Sequence, residues 1–144
     1  MIGMVVTGHG LFAAGMQSSA KMIAGENELI KYVCFEDGMT PETLAEKLSA
    51  AYTELAACDG IVVLSDLPGG SPFKTAVECS MEHPDKKIEV LAGSNLPMLV
   101  TAVTMLDFED DATALAEELL TTGKEFMVRF ELAAREEEEE EDGI

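Results

Sequence analysis

Four short apolar runs, at residues 2–7, 29–35, 60–67 and 88–92, are each separated from the next by a stretch long enough for a helix. Continuous apolar runs of this length suit strands buried on both faces, and strands of that kind belong to parallel sheets. Parallel neighbours need crossover connections, and right-handed crossovers place helices on both sides of the sheet. The pattern therefore predicts an α/β fold, an open doubly wound and mainly parallel sheet, for which the order 2-1-3-4 is taken. A further apolar run at residues 126–130 contains Arg129, which marks it as a C-terminal antiparallel edge strand.

The intervening stretches carry helix grammar. Phe12, Met16, Ser19 and Ile23 recur at helical spacing, with Gly25 as the stop. Leu44, Leu48, Tyr52 and Leu55 line one face of a second helix, opened by a Thr40 cap and Pro41 in the first turn. Ser71 before Pro72 repeats the device for a third helix through Phe73, Val77 and Met81. A fourth is expected to start near Asn95, and a fifth to cover residues 112–122 and end at Gly123.

With 144 residues, 47% of them hydrophobic, the chain can fill one core and leaves little room for a second. Residues 1–132 read as one domain, and residues 133–144 as an acidic tail expected to be disordered. Within that tail residues 135–142 hold six Glu, one Asp and one Arg, leaving about −13 of the formal −19 for the rest. Such a charge opposes phosphate backbones and anionic lipid, so nucleic acid is excluded as a partner. No apolar run approaches the roughly 20 residues that span a bilayer, and no leader-like segment precedes the first strand, so a cytoplasmic location is expected. Cys34, Cys58 and Cys79 have neither the number nor the spacing of a disulfide framework or a zinc site. No metal and no cofactor is expected.

Ligands on open α/β sheets bind beyond the carboxyl ends of the strands, where strand order reverses. The loops there read Gly8-His9-Gly10, then Asp66-Leu67-Pro68-Gly69-Gly70-Ser71-Pro72, then Gly93-Ser94-Asn95. If strands 1 and 3 are neighbours, His9 and Asp66 project into one crevice. Neutral imidazole offers a nucleophilic nitrogen, and a carboxylate bonded to one ring nitrogen frees the other. The amides of Gly70 and Ser71, with the Ser71 hydroxyl, would gather at a helix N-terminus as donors for phosphoryl oxygens. Gly10 and Gly69 would let main chain approach the same group. Each signal alone has a bland reading: an incidental loop histidine, a capping aspartate, a turn. Their meeting at one sheet edge favours chemistry. His83, ahead of Pro84 near the end of the third helix, reads as a polar residue suited to a helix C-terminus, and the methionines read as core filler.

Thr7-Gly8-His9-Gly10, Asp66 with Gly69-Gly70-Ser71-Pro72-Phe73, and Ala92-Gly93-Ser94-Asn95-Leu96-Pro97-Met98 together resemble the enzyme IIA domain of the mannose (mannose–fructose–sorbose) family of the bacterial sugar phosphotransferase system. The resemblance spans residues 1 to about 130 and implies a phosphotransferase working through a phosphohistidine. His9 would take phosphate from the histidine phosphocarrier protein and pass it to the cognate IIB component. Asp66 would be the orienting carboxylate, and the membrane IIC and IID components would be indirect partners. A homodimer built by exchange of the C-terminal strand is also implied. Leu67-Pro68 departs from the bulkier, aromatic-containing loop of mannose-type members, which puts the shape of the partner-facing rim in question. The segment from Thr7 to Phe12 looks more like the hexosamine branch, such as N-acetylgalactosamine transport. The alternatives are a phosphodonor domain for a dihydroxyacetone kinase and a non-catalytic flavodoxin-like module binding a nucleotide or flavin. A receiver-like switch phosphorylated on aspartate lacks its acidic cluster after the first strand.

Overall fold

A computed structural model describes residues 1–132; the acidic tail assigned to residues 133–144 lies outside the described residues. The chain alternates β1 (Ile2–His9), α1 (Phe12–Ala24), β2 (Ile30–Phe35), α2 (Pro41–Glu54), β3 (Gly60–Ser65), α3 (Ser71–Met81) and β4 (Lys87–Leu91), followed by α4 (Leu96–Met105) and α5 (Ala112–Glu125). Among the described residues the four strands are all parallel, as the alternation of apolar runs requires, and they lie in the expected order β2-β1-β3-β4.

Side chains alternate across the pleat and so build two cores. Ile2, Met4 and Val6 of β1 join Val62 and Leu64 of β3 beneath α1, α4 and α5. Val5, Ile61 and Val63 point the other way, onto Leu44, Leu48 and Tyr52 of α2 and Ala76 and Cys79 of α3. Among the described residues no helix is long and apolar enough to cross a membrane.

The caps follow local chemistry. Thr40 Oγ1 accepts from the Thr43 amide at 3.1 Å, Asn95 Oδ1 from the Met98 amide at 3.3 Å, and Gly25 closes α1 at φ 88°. The device expected at Ser71 is shifted by one residue: Gly70 is the N-cap and Ser71 the first residue of α3. The reason is steric and lies in the site described below.

Two expectations at the C-terminal end fail. Gly123 does not stop α5, which runs through it to Glu125. A helix-interior glycine costs about 0.5–1 kcal/mol relative to alanine, and here it allows a close approach, since a Cβ would stand 2.8 Å from both Cγ and Sδ of Met98. Residues 126–130 form no strand within the single chain; Phe126 instead caps α5. Phe126, Met127, Val128 and Phe130 are left exposed.

Candidate functional site

The two halves of the sheet are wound in opposite directions from β1, so strand order reverses between β1 and β3. Thr7 pairs with Ser65 in that ladder. His9 therefore lies two residues beyond the pair and Asp66 one residue beyond it, at adjacent strand ends.

Both the main chain and the ring of His9 bind this aspartate. The His9 amide donates to Asp66 Oδ2 at 2.9 Å and His9 Nδ1 to the same oxygen at 2.8 Å. Asp66 Oδ1 accepts from the Leu67 amide at 2.9 Å. Burial would raise the Asp66 carboxyl, but the amide and ring N–H of His9 and the Leu67 amide outweigh it and hold the group below its ordinary value. An ionised carboxylate can only accept, so Nδ1 carries the proton and the Nε2 lone pair is free. The His9 side chain is 47% exposed and that of Asp66 13%: the ring reaches into solvent from a sheltered anchor.

The loop between β3 and α3 closes the other side. Gly69 turns at φ 80°, bringing Gly70 against the imidazole. A Cβ on Gly70 would meet His9 Cε1 at 2.8 Å and Nε2 at 3.4 Å. Only glycine fits there without moving the ring, which is why the cap carries no side chain. The first intrahelical bond of α3 runs from the Lys74 amide to Gly70 O at 2.9 Å, so the Ser71 and Phe73 amides have no intrahelical acceptor, and Pro72 has none to offer. The Ser71 hydroxyl makes no hydrogen bond to a described residue. The helix thus presents free donors and the positive end of its dipole beside Nε2.

Gly10, at φ 59°, donates its amide to Phe35 O at 2.8 Å, and the Phe35 ring stands edge-on to His9 with centroids 6.0 Å apart. Sequence reasoning missed Phe35, although it ends the strand next to β1 and pairs in register with His9. His83 takes no part in this site; it packs edge-on against Tyr52, 5.6 Å away. Cys58 and Cys79 are buried and Cys34 half-buried, all as free thiols.

Residues 3–120 match the family model described as the PTS system fructose IIA component. The chain belongs to that family. This IIA chain is 37% identical over 129 residues to the PTS system mannose-specific EIIAB component of Escherichia coli (strain K12), over 86% of the chain and 38% of that relative. It thus spans well under half the length of the mannose-specific relatives it matches. It is 26% identical to the PTS system fructose-specific EIIA component of Bacillus subtilis (strain 168), over 98% of the chain and 99% of the relative. Among solved structures, the phosphotransferase system component EIIA of Streptococcus agalactiae superposes with a TM-score of 0.79 at 35% identity, covering 90% of this IIA chain and 98% of its own. The family resemblance carried by the three loop motifs is borne out.

Proposed function

We propose that this IIA component is a cytoplasmic phosphocarrier of a sugar phosphotransferase system, taking a phosphoryl group on Nε2 of His9 from the histidine phosphocarrier protein and passing it to the cognate IIB component. The observation that carries the reading is the 2.8 Å bond from His9 Nδ1 to Asp66 Oδ2, which leaves Nε2 as the one nucleophilic atom at a solvent-open strand end.

Transfer exchanges one N–P bond for another. The Nε2 lone pair attacks phosphorus in line as the N–P bond of the donor's phosphohistidine breaks, and the donor ring, already protonated on its other nitrogen, leaves as neutral imidazole. His9, now protonated at Nδ1 and phosphorylated at Nε2, is an imidazolium, and its charge lies against the ionised Asp66. The free amides at the start of α3 meet the equatorial oxygens, with the Ser71 hydroxyl as a further donor and Gly10 and Gly69 leaving the approach clear. Catalysis is positioning and charge stabilisation, as in other phosphoryl transfers.

Membrane IIC and IID components are then indirect partners, and the sugar is taken up by them; the segment from Thr7 to Phe12 favours a hexosamine. A homodimer completes the proposal, with residues 126–130 of each copy pairing antiparallel to the open β4 edge of the other. The exposure of Phe126, Met127, Val128 and Phe130, at 63–84%, supports it, because pairing would cover both an apolar segment and an unpaired edge.

The test is incubation with enzyme I, the phosphocarrier and phosphoenolpyruvate. The protein is expected to gain an acid-labile, alkali-stable phosphate that His9→Ala abolishes. Persistent histidine labelling of that variant would overturn the assignment, and the component that discharges the phosphoprotein identifies the acceptor.

A further inference from the structure

The loop of residues 92–95 supplies neither nucleophile nor base, yet it is tied at both ends. At one end the Gly93 amide donates to Asp66 O at 3.0 Å and the Ser94 amide to Ser65 O at 3.1 Å. The loop is therefore bonded to the main chain of the site's own carboxylate residue. At the other end Asn95 uses both atoms of its amide. Its Oδ1 caps α4 through the Met98 amide, and its Nδ2 donates to Gly123 O at 2.9 Å.

That acceptor is one of the last four carbonyls of α5, which lack intrahelical donors. Gly123 permits the contact, since a Cβ there would lie 2.8 Å from Met98 and 3.4 Å from Asn95 Nδ2. A cap alone would be served as well by serine or aspartate. Only an amide offers a capping oxygen and, on the same short side chain, a donor that reaches α5.

We infer that Asn95 is a positioning residue for phosphoryl transfer: by clamping the 92–95 loop to the end of α5 it fixes the Asp66 main chain, and through it the carboxylate that orients His9. The inference rests on the phosphocarrier reading above. Without the clamp the loop remains attached to Asp66 but is free to shift relative to α5, and the imidazole shifts with it. A misplacement of about 1 Å at a reacting group costs on the order of 100-fold in rate.

The experiment uses the full chain with Asn95→Ser and Asn95→Asp, which both keep a capping oxygen and both lose the donor to Gly123. Phosphorylation of His9 is expected to slow about 10- to 100-fold in kcat with KM for the phosphocarrier unchanged, and the 15N signal of His9 Nδ1 is expected to move in the unphosphorylated protein. A wild-type kcat with an unmoved Nδ1 signal in both variants would overturn the inference, as would a loss confined to KM. Should the variants fail to fold, Gly123→Ala decides, because it crowds the same contact from the α5 side and is expected to reproduce the slowing. If wild-type protein takes no phosphate on His9, the phosphocarrier reading fails, while the Nδ1 signal still reports whether Asn95 sets the ring.

Discussion

Replacing Gly70 with alanine adds one methyl group against the imidazole and little else. The new Cβ would lie 2.8 Å from His9 Cε1, 3.4 Å from Nε2 and 3.9 Å from Nδ1. Carbon atoms rest at about 3.5–4.0 Å, so the ring must retreat by roughly 1 Å. It is free to do so, because the side chain is half exposed. A ring displaced that far cannot keep Nε2 in its place beside α3 and its Nδ1–Oδ2 bond at 2.8 Å together. The backbone at Gly70, φ −73° and ψ 169°, suits alanine, so no main-chain strain is added. Loss of a favourable N-cap glycine costs about 0.5–1 kcal/mol, and stiffening the unfolded chain returns about 0.4–1 kcal/mol. Stability should therefore hardly move, while transfer slows about 100-fold, equivalent to about 2.7 kcal/mol of barrier. Rapid-quench transfer from the phosphorylated phosphocarrier, alongside thermal unfolding, measures both. A variant that accepts phosphate at the wild-type rate would refute the claim that the ring must sit where only glycine lets it.

Asp66→Asn removes the charge that faces the phosphorylated ring and is expected to slow transfer on the order of 10²- to 10⁴-fold in the same assay. It also carries a pH signature. The folded-state carboxyl lies below its ordinary 3.8, so its stabilisation is fully present above that value and is lost as pH falls through the lower folded value. The urea-unfolding difference between wild type and Asp66→Asn should accordingly shrink as pH falls below about 4. Away from the site, Tyr52→Phe deletes the buried hydroxyl that donates to Ala76 O at 3.1 Å. It should cost about 0.5–1.5 kcal/mol in urea unfolding and leave phosphorylation unchanged.

The parallel sheet was legible because continuous apolar runs reveal buried strands, and the meeting of His9 with Asp66 followed once strands 1 and 3 were taken as neighbours in a 2-1-3-4 order. Thr40 was legible as a cap, and Asn95 as the neighbourhood of a helix start, from local sequence alone. Ser71 was misread by one position because a cap preference is overridden where a ring needs the space, and the ring comes from a strand some sixty residues earlier in the chain. Gly123 misled likewise: the same residue ends a helix when left-handed and lets helices touch when buried within one, and only its contact with Met98 separates the two cases. The segment at residues 126–130 has the composition of an edge strand, but a strand exists only beside a neighbour, and this segment pairs with no strand of its own chain. Phe35 was missed because nothing within its own run distinguishes it from a strand-ending core residue.

Exposure is itself part of the chemistry. A group transferred from one protein to another must be reachable by two different partners in turn, which forbids a buried site and a permanent lid. It also leaves the N–P bond open to water. The arrangement answers this by dividing the work between depths. The orienting carboxylate lies largely sheltered at 13% exposure, while the ring it holds stands out at 47%. On the phosphocarrier reading, exclusion of water would be left to whichever partner covers the ring, so the electrostatic advantage of a low-dielectric site would arise only within a complex. On this reading the apolar rim matters: Leu11 and Leu67, both more than half exposed, adjoin the two loops that bear His9 and Asp66. They supply surface that a docking partner can desolvate without stripping water from a charge.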